Sequence, residues 1–194
     1  SAPATAAPPP PRPPPPPPRA LAPRHKDGRV SFRNVEVYSL DEFYPITPEH
    51  QQSRNYRIHA EFLNHIDILP ENIHVPDATV PLDRISEYCR QYGHEAKSKM
   101  DLMIIGVGEQ GQIGFNEPGT FSRSKTRLVQ LSLNSIKTQS NFFSSFNEVP
   151  KMAITMGIDT VMKAKQIILM AWGEDKADAI RRIVEGEVTE QTPA

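Results

Sequence analysis

Downstream of Ser31, apolar positions follow two rhythms that trade places along the chain. Residues 35–38, Val-Glu-Val-Tyr, alternate with period two and predict a short strand feeding a loop over 39–48. Ser53 then stands where a helix cap would, ahead of Tyr56, Ala60, Phe62, Leu63 and Ile66 at helical spacing, with Pro70 closing the segment. A brief extended piece, 73–75, is followed after Pro81 by an amphipathic helix carrying Leu82, Ile85, Tyr88, Cys89 and Tyr92. Residues 101–105, Asp-Leu-Met-Ile-Ile, form the continuous apolar run of a buried parallel strand, ended by glycines. The second half repeats the alternation, with strands expected at 127–133, 151–156 and 166–171 and helices at 140–146, 159–164 and 174–184. Such alternation predicts an α/β fold, a Rossmann-like parallel sheet with helices on both faces. Strands 35–38, 101–105, 151–156 and 166–171 are expected side by side, with Asp41 and Glu117 at one edge.

The head of the chain obeys neither rhythm. Twelve of the 20 prolines fall within the first 23 positions, and no acidic residue occurs there. Proline fixes φ and removes a donor, so residues 1–24 are expected to be a disordered, extended or polyproline II head making little contact with a single domain over 31–194. Arg12 with Pro15 and Pro18, or Pro14 with Pro17 and Arg19, has the spacing that SH3-type partners accept; the plain alternative is a semi-rigid spacer or fusion remnant. No apolar h-region precedes the prolines, and the missing initiator Met suggests a processed or cut chain.

Composition narrows the function classes. With 22 basic and 23 acidic side chains the net charge is −1, which gives no electrostatic basis for general nucleic-acid or anionic-membrane binding. No apolar run reaches the roughly 20 residues that cross a bilayer. The single cysteine, Cys89, excludes an intramolecular disulfide and a cysteine-rich zinc site and fits a reducing compartment, so the cytoplasm is the expected location and no metal is expected.

In open α/β sheets ligands sit at the carboxyl ends of strands, which directs attention to the loops after Tyr38, Ile105 and Ala171. The first holds Asp41 and Glu42, the second runs from Gly106 to Gly119, and the third supplies Gly173, Glu174, Asp175 and Lys176. Gly106, Gly108 and Gly111 spell G-x-G-x-x-G directly after a strand. Gly114, Pro118 and Gly119 would interrupt the helix that a dinucleotide fingerprint needs, and the next strand ends Leu131-Ser132-Leu133-Asn134 without an acid for a ribose. No cofactor is therefore expected, and the glycines read as positions where backbone approaches a small ligand closely.

Several pieces, in this order, resemble the glucosamine-6-phosphate deaminase family: Leu40-Asp41-Glu42-Phe43, Gly106-Val107-Gly108, Gly114-Phe115-Asn116-Glu117-Pro118, Thr126-Arg127, Met156-Gly157-Ile158, Gly173 with Lys176, and Val184-Glu185-Gly186. The resemblance spans about residues 31–193 and implies an aldose–ketose isomerisation coupled to loss of ammonia from C2 of an amino-sugar phosphate. It implies Asp41 as the C2 base, Glu117 as the acid orienting a ring-opening histidine, Lys176 as a phosphate contact, and Gly106 and Gly108 as substrate-binding backbone. Taken by themselves, Glu42 reads as a solvated acid, Glu117 as a capper of backbone amides and Lys176 as a surface lysine. The family's opening strand and phosphate loop stand where the proline-rich head is, so the domain is expected to be incomplete at its first strand. An open sheet edge of that kind predicts a homo-oligomer or aggregation.

The departures lie in the proton relay. Where the family reads Asp-Gly-His, this chain has Gln110-Gly111-Gln112, and an amide neither accepts nor releases a proton near neutral pH. None of the six histidines lies in the three loops. Asn141 stands where the family has an arginine ahead of a Phe-Phe pair, and Val129 replaces a lysine. Two readings follow: a deaminase-like enzyme converting glucosamine 6-phosphate to fructose 6-phosphate and ammonia with impaired activity, or a non-catalytic sugar-phosphate-binding or interaction module.

Overall fold

The structure is a computed structural model that describes residues 17–194, with side chains from Leu21 onward. The fold is α/β, with the strands divided among three sheets. Strand β1 (Val37–Tyr38) pairs in parallel with β3 (Ile73–His74), and β4 (Leu102–Gly106) pairs in parallel with β7 (Gln166–Met170). The third sheet is antiparallel, with β6 (Met152–Thr155) flanked by β2 (Asp41–Tyr44) and β5 (Arg127–Gln130). The expectation of one parallel sheet is therefore corrected: 101–105 and 166–171 are parallel neighbours, whereas 151–156 pairs antiparallel with a strand that the sequence disguises as a loop.

That disguise has a physical origin. Asp41 and Glu42 read as loop residues because two adjacent carboxylates are ordinarily solvated. Here all four residues of β2 are buried, because the acids find donors inside the fold. Across the sheet the rows are Asp41–Thr155–Arg127, Glu42–Ile154–Leu128 and Phe43–Ala153–Val129. Small Ala153 between Phe43 and Val129 lets one face pack with Phe115, Leu131, Ile136 and Val149. Ile154 and Tyr44 on the other face pack with Ala78, Ile85 and Cys89. A third core joins β4 to the helices through Met103, Ile105, Tyr92, Ala96, Met156 and Val161.

The helices follow their caps. In α2 (Arg54–Glu61) the Ser53 hydroxyl accepts from the Tyr56 N–H, as its position predicts, and a short 3-10 turn over Leu63–His65 follows in place of continued helix. The long amphipathic helix α3 (Ile85–Lys99) buries Ile85, Cys89, Tyr92, Gly93 and Ala96. The helix expected over 140–146 lies one to two turns earlier, as α4 (Leu133–Ser140). Ser132 caps it by accepting from the Ser135 N–H, and Asn141 ends it. Helix α5 (Ile158–Val161) precedes β7, and α6 (Ala177–Glu185) closes the order after a 3-10 turn over Glu174–Lys176.

The expected extended head is corrected where it can be compared. Residues 17–26 form helix α1 (Pro17–Lys26). Pro17 and Pro18 are tolerated in its first turn, where the N–H would have no intrahelical partner. Pro23 lies inside, Ala22 is buried, and Gly28 at positive φ ends the helix. The chain beyond is tied down by Asp67, which accepts from the Ser31 hydroxyl and the Phe32 N–H. Of the residues in the SH3-type spacings, Arg12, Pro14 and Pro15 lie outside the described residues, and Pro17, Pro18 and Arg19 fall at the start of α1. No helix among the described residues is long and apolar enough to cross a membrane.

Candidate active site

The row Asp41–Thr155–Arg127 gathers the second half of the glycine-rich loop onto one edge of the antiparallel sheet. The Phe115 N–H donates to Thr155 Oγ1 at 3.3 Å. Fully buried Asn116 donates from Nδ2 to the carbonyls of Ile113 and Met156 and accepts on Oδ1 from Arg127 Nη1 at 3.0 Å. Burial holds the Arg127 guanidinium pKa below its ordinary value. At Gly114 φ is +55°, and a Cβ there would meet Asp41 Oδ2, Leu40 and Thr155 Oγ1, each at 3.0 Å. Only glycine lets the loop press this closely on Asp41.

Asp41 is 9% exposed, and its Oδ1 accepts from Arg54 Nε at 3.0 Å. Arg54 is fixed from its other side, with its guanidinium 4.9 Å over the Phe43 ring. Oδ2 is the oxygen turned toward Gly114. A carboxylate held by one oxygen and presenting the other to a backbone loop can accept a proton from a bound carbon acid without first breaking its ion pair.

Glu42 is not a solvated acid. It is 1% exposed, and it accepts from the backbone N–H groups of Phe43, Arg54 and Asn55, each at 2.9 Å, which places its charge at the N-terminus of α2. Burial pushes its carboxyl pKa above the ordinary value despite those three donors. Glu117 is likewise a capper: its carboxylate accepts from the Ser132 N–H and hydroxyl and from the Ser135 hydroxyl at the start of α4. Among the described residues no hydrogen bond joins it to Asp41.

The relay positions sit in the first half of the loop. Gln112 Oε1 accepts from the Gln110 N–H at 2.9 Å, and the Gly108 N–H donates to the Gln112 carbonyl at 2.9 Å. The Gln112 amide is folded against Gly108, where any Cβ would fall within 2.5 Å of it. Gly106 ends β4. Lys176 lies between two exposed carboxylates, Asp175 at 2.8 Å and Glu109 at 3.5 Å. The sheet and loop thus unite Asp41 with Gly114, Gln110 with Gln112, and Lys176 with Glu109. Arg54 and Asn116 were missed as organisers of the site. For Arg54 the available signal was its place directly after the Ser53 cap.

Comparison with known proteins gives one answer. The family described as glucosamine-6-phosphate isomerases/6-phosphogluconolactonase matches residues 14–194. A glucosamine-6-phosphate deaminase from Thermoanaerobacter sp. (strain X514) is 41% identical over 176 residues, covering 90% of this chain and 69% of the relative. The structure of a monomeric glucosamine-6-phosphate deaminase superposes with a TM-score of 0.86 at 34% identity, over 91% of this chain and 73% of the other. A 6-phosphogluconolactonase from Thermotoga maritima shares the fold at a TM-score of 0.65 and 17% identity, over 89% and 74% of the two chains. On sequence and fold together, the chain belongs to the glucosamine-6-phosphate deaminase/isomerase family.

Proposed function

We propose that the protein binds glucosamine 6-phosphate and converts it to fructose 6-phosphate and ammonia slowly, with the C2 proton going to Asp41. The observation that carries this reading is the Asp41 carboxylate, buried, held through Oδ1 by Arg54 and aimed through Oδ2 at the glycine-rich loop. In the open-chain sugar, loss of the C2 proton to Asp41 leaves an enolamine, and return of a proton to C1 gives a C2 iminium. Water adds to that carbon, and ammonia leaves as the ketone forms. The ring must open first, and at that step Gln110 and Gln112 can orient groups by hydrogen bonding but cannot carry a proton. Glu109, exposed on the same loop, and solvent remain as proton carriers, which is why turnover is expected to be slow.

On this reading Lys176 holds the phosphate, exchanging its contacts with Asp175 and Glu109 for the ligand's oxygens. Glu117 acts as a positioning residue that fixes the loop to α4. Asp41→Asn tests the reading, because it keeps the shape and removes the base. Loss of a positioned base costs about 10²–10⁴ in rate. Coupled ammonia release should fall by that factor while calorimetric binding of the sugar phosphate persists. Equal ammonia release by the variant would contradict the assignment of Asp41.

A further inference from the structure

A cavity of about 450 Å³ shares no residue with the candidate active site. It opens between α3, the start of β5 and α5, and it is lined by charged Arg90, Lys97, Lys125 and Asp159 together with His94. We propose that it is a binding site for a small phosphate monoester.

Charge is the first argument. Asp159 is the one carboxylate lining the cavity. Lys97 Nζ bonds it at 2.8 Å, and Lys125 and Lys163 also help to hold its pKa below the ordinary carboxylate value. Arg90 is engaged outward on Glu87. Lys125 makes no ion pair among the described residues, so the cavity carries a surplus of positive charge with one ammonium uncommitted. Lys97 can share its ammonium between Asp159 and a ligand oxygen, since it has three donors.

The floor supplies the second argument. Thr126 and Thr160 are both buried, and their hydroxyls meet each other at only 3.4 Å. A contact of that length leaves each hydroxyl free to turn toward a ligand oxygen. Gly93 lets α3 approach this floor closely. It sits inside α3, where glycine costs roughly 0.5–1 kcal/mol relative to alanine, and a Cβ at that position would lie 2.4 Å from Thr126 Oγ1. Beside it the Cys89 thiol, its pKa pushed up to about 11 by burial, stays neutral and adds no opposing charge. The volume lies in the range of small-ligand pockets, about 300–1,000 Å³, so it has room for a phosphate head and a short polar body.

The test is an amide-resolved NMR titration of the full chain with inorganic phosphate, then with glucose 6-phosphate. Saturable shifts are expected at Gly93, Thr126 and Thr160, and they are separable from any response at Gly108 in the candidate active site. Lys125→Gln removes an exposed, unpaired charge with little risk to folding, and it should weaken those shifts on the order of tenfold, as loss of one charged hydrogen bond does. Gly93→Ala should abolish them. Three results would overturn the proposal: no response at these amides with millimolar phosphate, shifts indifferent to Lys125→Gln, or a response to citrate with both phosphates inert.

Discussion

The antiparallel β2–β6–β5 layer and the parallel β4–β7 pair both border the candidate active site, yet they are built to different standards. Every residue of β2 and three of four in β6 are buried, whereas Gln166, Ile167 and Ile168 of β7 are exposed. Asp41 belongs to the buried layer and is held by Arg54, itself stacked on Phe43. Gln110, Gln112 and Lys176 follow the exposed pair and are held by polar contacts near the surface. Asp41, the proposed base, is fixed by core packing, whereas Gln110, Gln112 and Lys176, proposed for ring opening and phosphate contact, are fixed by interactions that a ligand can displace.

Hydrogen exchange should show the largest contrast. The amides of Ala153 and Ile154 should exchange only through global unfolding, and those of Ile167 and Ile168 on the order of 100-fold faster through local opening. Equal protection would erase the distinction between the two regions. The next effect concerns stability. Glu42→Ala leaves three backbone N–H groups, one buried and two part-buried, without their acceptor and should cost about 1–3 kcal/mol in urea unfolding, whereas Lys176→Gln should stay within about 0.5 kcal/mol. Lys176→Gln should instead raise the KM for the sugar phosphate, by roughly tenfold.

Glu42 also gives a pH signature. Its folded pKa is raised above the ordinary 4.5, so the folded state binds the proton more tightly than the unfolded chain. Stability of the parent relative to Glu42→Gln should therefore fall as pH rises from 4.5 through the raised value. The smallest effect is a null one. Cys89 is 1% exposed with a thiol pKa of about 11, so iodoacetamide at about pH 8 should leave it unmodified in the folded protein and label it only on unfolding.

The two regions also differed in how far the sequence revealed them. The run Leu102–Ile105 and the Ser53 cap announce β4 and α2, because apolar continuity and side-chain capping are local signals. Strand β2 was hidden, because the donors that make Asp41 and Glu42 tolerable inside come from α2, some dozen residues away. The cap that moves α4 to Leu133 depends on Ser132, which the neighbouring strand pattern absorbed. Motif order singles out Asp41, Gln110, Gln112 and Lys176 as candidates, whereas the capping contacts of Glu42 and Glu117 needed the fold.

On the proposed reading the carboxylate side of the site is intact and the relay side is deficient. Ammonia release from glucosamine 6-phosphate by the parent and by Gln110→Asp/Gln112→His, at saturating substrate, tests it directly. Slow turnover by the parent is expected, with a rise on the order of 10²-fold in the double variant, the lower end of what a positioned acid–base group supplies. Rapid turnover by the parent, with no gain in the double variant, would contradict it and assign the proton transfer to a group other than the relay positions.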